Sequence, residues 1–263
     1  MKQLIRKIVP SALLCWWHRC RAWRWFHGNY SNWPEAREAS AGYDHTAVLA
    51  RVVAATRQVK AGQACWERDG WVFDTPEVNQ PLLSALRGIA QENNGVLEII
   101  DFGGSLGSTW WQHRAELETL AAVHWKVVEQ SHYVAAGAEF ADRSISFYGS
   151  INEALSGGRP SVMLFSSVLS YLENPWSVLK VAACCGIPHI IIDRTPLVAG
   201  RTRLTVQRTP PALGGGSYPC WLFRREELLA KLNDTYVLVS EWPAIDDLAA
   251  DVQHRGFHFQ RIV

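Results

Sequence analysis

The sequence predicts an α/β protein built on a doubly wound, mostly parallel sheet. Three observations carry that prediction. From residue 96 onward, short β-branched runs alternate with segments of helix length, the pattern of parallel strands joined by crossover helices. The runs IIDF, MLF and IIID are continuously apolar, as strands buried on both faces must be. A glycine-rich turn, Asp101-Phe-Gly-Gly-Ser-Leu-Gly107, follows the first of these strands and opens a helix.

Residues 35–62 hold a helical pattern (Ala47, Leu49, Val52, Val53, Thr56, Val59) that Gly62 ends. Pro81 to Ala90 reads as a second helix, because proline is tolerated in a first turn whose N–H groups lack intrahelical partners. Val96–Phe102 is the first strand, and the helix after the turn is predicted to reach about Ala122. Trp125–Glu129, Ser144–Tyr148, Ser161–Ser166 and Pro188–Asp193 are the next four strands, with helices over 132–142 and 174–185 between them. Residues 194–222, rich in Pro and Gly, read as a long irregular stretch. A helix over 224–233 precedes Tyr236–Glu241 and Gly256–Val263, which lack a helix of ordinary length between them and are expected to pair antiparallel at one edge. The expected organisation is a leader (1–34), a helical cap or preamble (35–95) and a seven-stranded sheet domain (96–263).

The 263 residues are 48% hydrophobic and 19% charged, with a formal net charge of +1. A chain this long builds a substantial core without disulfides. The near-neutral charge excludes a general nucleic-acid-coating surface, and no apolar run is long enough to span a membrane as a helix. Six scattered Cys without a C-x-x-C make neither a disulfide framework nor a redox motif. They indicate reduced thiols in the cytoplasm, with Cys184–Cys185 expected in the core. No His/Cys/Asp/Glu spacing resembles a metal site.

The neutral total conceals a split. Residues 1–34 carry six Lys or Arg and no acid, and five of the 13 Trp lie in the first 33 residues. Leu14, Trp17, Arg21 and Trp25 recur at helical spacing. Two readings of this leader stand side by side. One is an interfacial helix giving peripheral contact, through residues 1–27, with the inner face of the cytoplasmic membrane. The other is a helix docking its aromatics onto the protein's own body. A cleaved signal peptide ranks third, because Pro10 and Trp16–Trp17 interrupt the apolar core and no small-residue cleavage site follows.

The chemistry-bearing segment is the turn 101–107. Its backbone N–H groups and the following helix dipole can face an anionic or polar ligand, and its glycines permit close backbone approach. Glu129 ends the second strand, where a carboxylate can accept both hydroxyls of a ribose, the geometry that nucleotide-binding Rossmann-like folds share. No Gly-Lys dipeptide supplies a triphosphate loop, and no Tyr is followed four residues later by the Lys of a short-chain dehydrogenase. An acid before the turn fits the S-adenosylmethionine loop D/E-x-G-x-G-x-G better, with Ser105 in place of the middle glycine.

The chain resembles the class I methyltransferases found with bacterial surface-polysaccharide genes. The resemblance runs from about Gly28 to Trp242, through GNYSNWPEA (28–36), SAGYD (40–44), WERDG (66–70), DFGGSLGS (101–108), VVEQ (127–130), SSVLSYLENP (166–175), IDRTP (192–196) and SYPCW (217–221). It implies a Rossmann-like sheet of class I methyltransferase type with S-adenosylmethionine as cofactor. It also implies a sugar or glycan-related hydroxyl as methyl acceptor. A non-catalytic scaffold of a membrane-associated glycan-assembly complex is the alternative.

On this reading Asp101, Gly103, Gly104, Ser105 and Gly107 cradle the methionine part, Glu129 holds the ribose, and Gln130 lies beside the adenine. Catalysis by such a protein is chiefly positioning, and a hydroxyl acceptor also needs a base. Glu173, Asp193 and Arg194, at the ends of the fourth and fifth strands, are the catalytic candidates. Arg68 and Asp69, in a charged cluster with Glu67, and Tyr218 and Trp221, in the predicted loop, are the substrate-binding candidates; Arg68 and Arg194 suit a phosphate or carboxylate. His113 and His132 lie in early helical turns and are expected at the surface.

Overall fold

The computed structural model describes residues 25–42, 45–210, 215–244, 246 and 251–262. Most of the leader, including Trp16, Trp17 and Trp23, lies outside the described residues. Trp25, just inside them, packs half-buried against a cluster of Phe26, Cys220, Leu222 and Val252. No described helix is long and apolar enough to cross a membrane.

The chain begins with β1 (Phe26–Tyr30), α1 (Trp33–Glu38) and α2 (His45–Lys60). A hairpin of β2 (Trp66–Arg68) and β3 (Trp71–Phe73) follows, then α3 (Gln80–Glu92). Asn79 caps α3 by accepting the Leu82 N–H, with proline in the first turn. Leu82, Leu83, Leu86, Ile89 and Ala90 make its buried face, the three- and four-residue spacing of an amphipathic helix. The core of the fold is β4 (Val96–Phe102), α4 (Ser108–Leu117), β5 (Ala122–Val128), α5 (Ser131–Gly137), β6 (Ile145–Tyr148), α6 (Ile151–Leu155) and β7 (Val162–Ser166). A short 3-10 turn (Leu169–Tyr171), α7 (Pro175–Cys184) and β8 (His189–Val198) come next.

β6, β5, β4, β7 and β8 stand side by side in that order, all parallel. Every residue of β4 pairs in register with β5. Because side chains alternate across a strand, Leu97 and Ile99 enter a cluster with the buried residues of α3 and α4, while Ile100 enters another with α7. The sheet is covered on both faces, which is why its strands read as unbroken apolar runs. After β9 (Arg203–Arg208), β10 (Ser217–Arg224) and α8 (Arg225–Leu229), the chain ends with β11 (Tyr236–Pro243) and β12 (Gln253–Arg261). β12 inserts antiparallel between β8 and β11. The terminal pair is therefore antiparallel, as expected.

Four expectations are corrected. Residues 194–222 are not one irregular loop: β8 continues to Val198, and β9 and β10 form an antiparallel pair. Tyr218 and Trp221 thus sit on a strand. The main sheet has ten strands among the described residues rather than seven. Polar residues buried by side-chain bonding hide the strand rhythm there. Thr205 donates its hydroxyl to the Cys220 carbonyl at 2.8 Å, and Gln207 accepts the Tyr171 hydroxyl at 3.0 Å.

Neither the end of the leader nor the cap is wholly helical. β1 joins the sheet by pairing with β9, and WERDG forms the hairpin β2–β3. Asp69 and Gly70 take positive φ angles of 52° and 79° at its tip, as a two-residue turn of the hairpin type requires. Finally, the vicinal thiols are not both core residues: Cys184 is exposed, while Cys185, just past the end of α7, is half-buried against a core cluster.

β10 meets β8 at Leu197 and Val198, beyond the end of β7 at Ser166. It takes the β8 edge that β7 has left, since β12 occupies the other edge as far as Leu197. The lobe β1–β9–β10 is thereby fixed beside the carboxyl ends of the parallel strands, where ligands bind in such sheets.

Candidate functional site

The turn after β4 is shaped by its glycines. Gly103 and Gly107 have φ of 71° and 87°, and a Cβ on Gly103 would strike the Val168 side chain. A Cβ on Gly104 would strike the Asp101 carboxylate. Ser105 also adopts a positive φ, 56°, which costs a non-glycine residue about 1–3 kcal/mol and is characteristic of ligand-clamping turns. Its N–H donates to Glu129 Oε1 at 3.1 Å, and the Gln130 N–H donates to Glu129 Oε2 at 2.8 Å. The Glu129 carboxylate is thus pinned between the turn and the tip of β5, half-buried, and burial raises its pKa. Gln130 is exposed beside it.

Asp101 lies beneath the turn with no exposure. Trp125 Nε1 donates to its Oδ2 at 3.0 Å, while Oδ1 has no hydrogen-bond partner. Burial pushes its carboxyl up to about 7, and the nearby Glu129 charge adds to this against the Trp125 bond.

The hairpin closes one wall. Glu67, fully buried, accepts the Ser108 hydroxyl and the Gly70 N–H, so the hairpin is bound to the first turn of α4. Arg68 donates to Gln112 Oε1 at 2.6 Å and lies over the Trp66 ring, 5.1 Å from its centroid. Burial, with Arg194 adding to it, lowers the Arg68 pKa to about 10. Asp69 is exposed at the hairpin tip. Tyr133 faces this group: burial raises its pKa to about 12, with Glu129, Asp69 and Glu67 contributing.

The strand-end candidates are held in other ways. Asp193 is buried and accepts Trp242 Nε1 at 2.9 Å and Asn79 Nδ2 at 3.0 Å. It ties β8 to the N-terminus of α3 and to β11. Arg194 makes a bidentate pair with Asp246 at 2.7 and 2.8 Å; burial opposes its charge, but this pair raises its pKa overall. Glu173 is exposed and has no hydrogen bond or ion pair among the described residues. Tyr218 stands edge-on to Tyr171 with ring centroids 5.1 Å apart, and Trp221 Nε1 donates to the Leu172 carbonyl at 3.1 Å.

The structure therefore brings Asp101, Gly103, Gly104, Ser105, Gly107 and Glu129 into one nest, with Glu67 and Arg68 beside it. His113 is buried rather than exposed: Nδ1 donates to the Thr109 carbonyl at 2.8 Å and Nε2 accepts the Asn79 N–H at 3.1 Å. Acceptance at Nε2 requires the neutral ring, with its proton on Nδ1, and burial lowers its pKa accordingly. Sequence reasoning missed Asn79, Ser108, Gln112, Trp125 and Tyr133. An Asn two residues before Pro81 is a legible cap signal; the others carry none, because their partners are distant in the chain.

The parallel strands run in the order third, second, first, fourth, fifth, and the last strand inserts antiparallel between the fifth and the penultimate. This is the class I methyltransferase fold. Among solved structures, the chain is similar to the cyclase SpnF, 11% identical with a TM-score of 0.52 over 85% of this chain and 97% of that one. It is also similar to the N-terminal domain of EvdMO1 in the presence of SAH and D-fucose, at 16% identity and a TM-score of 0.49 over 84% and 98%. Magnesium protoporphyrin IX methyltransferase (ChlM) from Synechocystis PCC 6803 with bound SAH matches at 15% and 0.48 over 81% and 99%. At 11% identity the likeness to SpnF is one of fold. No family model and no curated protein matches the sequence.

Proposed function

We propose that this protein is an S-adenosylmethionine-dependent methyltransferase acting on a hydroxyl of a sugar or glycan-related small molecule. The observation that carries the cofactor is the Glu129 carboxylate, fixed at the tip of β5 by two backbone N–H groups. Each of its oxygens keeps acceptor capacity for a ribose hydroxyl. The rest of the nest fits the same group. Asp101 presents a buried oxygen without a partner, suited to a cationic methionine end, and the glycine positions leave no room for side chains. The cofactor, when bound, supplies a methyl group already activated by its sulfonium.

What the chain contributes is placement. The turn and Glu129 orient the donor, while the hairpin residues Glu67 and Arg68 wall the site on the α4 side. Asp193 and Arg194 hold the wall formed by β8, and Glu173 is the expected strand-end carboxylate left free to take a proton. In-line placement alone contributes up to about 7–11 kcal/mol of a transfer barrier. The glycan-type acceptor rests on the sequence resemblance, and the Tyr171–Tyr218 pair beside the strand ends supports it as a surface on which a sugar ring packs. Cytoplasmic placement, with the leader touching the membrane, belongs to the same proposal.

Because one fold hosts several reactions, cofactor titration is the deciding measurement. Calorimetry with S-adenosylmethionine and S-adenosylhomocysteine is expected to show a single site in the wild type. Glu129→Ala removes a charge-assisted acceptor and is expected to weaken binding roughly tenfold to a hundredfold. Absence of binding by folded wild-type protein refutes the cofactor and favours the scaffold alternative.

A further inference from the structure

Among the described residues, Arg68 is a cation without a counter-ion. Half-buried, its guanidinium donates to Gln112 Oε1 at 2.6 Å and lies over the Trp66 ring. No other hydrogen bond and no ion pair engages it among the described residues. Gln112 is neutral, and its own amide is fixed by donating to the Glu77 carbonyl at 3.0 Å. A guanidinium offers a fork of N–H donors, and most of this one is unspent. Charge withdrawn from water is costly to hold without an opposite charge.

The neighbouring acids are already committed. Arg194 lies near enough to oppose the Arg68 charge, and Asp246, Asp69 and Asp193 lie near enough to favour it. Asp246 is spent on its bidentate pair with Arg194. Asp193 accepts from Trp242 and Asn79, and Asp69 stands exposed at the hairpin tip. Inside the site, one paired carboxylate therefore serves two guanidiniums, and one positive charge remains. The unbonded nitrogens of Arg68 are not sealed from solvent, so a ligand can reach them.

The position is also a built one. Glu67 ties the hairpin to Ser108, in the first turn of α4. Across the strand ends, Ser167 and Arg194 take positive φ angles of 56° and 53°, a strained conformation that clusters at ligand-binding sites.

We propose that Arg68 anchors a carboxylate on the methyl acceptor, which makes the acceptor a sugar acid of the hexuronate kind. The proposal rests on the methyltransferase reading above. Charge selects the group. A carboxylate neutralises the one spare positive charge and matches the planar guanidinium fork, whereas a phosphate monoester brings about two negative charges. Place selects the molecule. Arg194 and Asp193 belong to β8, whereas Asp101 and Glu129, assigned to the cofactor, end β4 and β5 on the other side of β7. An anion between Arg68 and the end of β8 thus lies on the acceptor's side.

The test uses the full-length protein saturated with S-adenosylhomocysteine. D-glucuronate, D-galacturonate and D-mannuronate are each compared with the neutral parent hexose and with inorganic phosphate. The thermal midpoint rises with the concentration of any ligand bound by the folded state, which yields its affinity. At least one uronate is expected to bind, and neither its parent hexose nor phosphate to match it. Arg68→Met keeps an unbranched apolar stem without the charge. It is expected to weaken that uronate roughly tenfold to a hundredfold and to keep the wild-type affinity for S-adenosylhomocysteine. Arg68→Lys keeps the charge without the fork and is expected to fall between the two; it is read in place of Arg68→Met if the latter does not fold.

A panel in which no uronate binds overturns the proposal, as does a variant that binds the uronate like the wild type. Phosphate binding that equals the uronate's and depends on Arg68 overturns the carboxylate. Loss of S-adenosylhomocysteine affinity by a variant with the wild-type circular dichroism spectrum assigns Arg68 to the methionine carboxylate and overturns the proposal. The comparison is repeated without S-adenosylhomocysteine. If the wild type does not bind that molecule yet binds a uronate through Arg68, the cofactor reading fails and the carboxylate site stands.

Discussion

Asp193→Ala is expected to lower the thermal midpoint by about 10 °C. Its carboxylate accepts Trp242 Nε1 and Asn79 Nδ2, both in buried side chains. Alanine leaves two donors without partners, and each unsatisfied buried donor costs about 1–3 kcal/mol. Some of that loss is offset because Asp193 is itself costly to bury, as its raised pKa shows. A net loss of about 2–4 kcal/mol remains, and in a protein of this size each kcal/mol shifts the midpoint by about 2–4 °C. The tie spans β8, β11 and α3, so no local rearrangement re-pairs both donors.

Gly256 marks the same crowding, since a Cβ there would strike Trp242 and approach Asp193. Scanning calorimetry on Asp193→Ala checks the expectation. A midpoint within a degree or two of the wild type would show that water replaces the carboxylate at no cost.

The second large effect is in pH dependence. Asp101 titrates at its ordinary value of 3.8 in the unfolded chain, and burial raises it to about 7 in the folded protein. Between these values the folded protein retains a proton that the unfolded chain has released. Stability contributed by this group is therefore complete below about pH 4, declines as pH rises, and levels off above about pH 7. Over the whole window the loss amounts to about 4 kcal/mol at most.

Asp101→Asn has no titrating group there. The stability difference, wild type minus variant, is thus expected to fall between about pH 4 and pH 7 and to level off above when both are unfolded in urea. Other buried carboxyls with raised pKa values, Glu67 and Asp193, are common to both proteins and largely cancel. A difference that is flat over this range would show that Asp101 is ionised throughout.

The same two residues mark how far the sequence could be read. Asp101 was legible because its signal is local: an acid, three glycines and a helix start within seven residues of a buried strand. Asp193 was legible only as a strand end. That it ties three elements together required Asn79 and Trp242, which lie 114 and 49 positions away. Glu67 shows the same limit. Within WERDG it reads as part of a charged cluster, yet it is buried beneath Gly70 and Ser108, because an Asp-Gly turn folds the segment back and α4 covers it. Arg68 and Arg194, alike in the sequence, separate in the structure: one meets a neutral amide, the other a carboxylate.

By itself, the sequence determined the parallel core from β4 to β8, the helix α3 with proline in its first turn, the glycine-rich turn and the acid that follows it. These depend on periodicity and turn chemistry acting over a few residues. Only the tertiary structure decided that β1, β9 and β10 extend the sheet beside the strand ends, that the cap contains a hairpin, and that β12 inserts between β8 and β11. Strand pairing joins residues as far apart as Phe26 and Gln207, and no pattern within a short window encodes a partner at that distance. The polar residues that pairing buries, such as Thr205 and Gln207, are satisfied by groups that only the folded chain brings near.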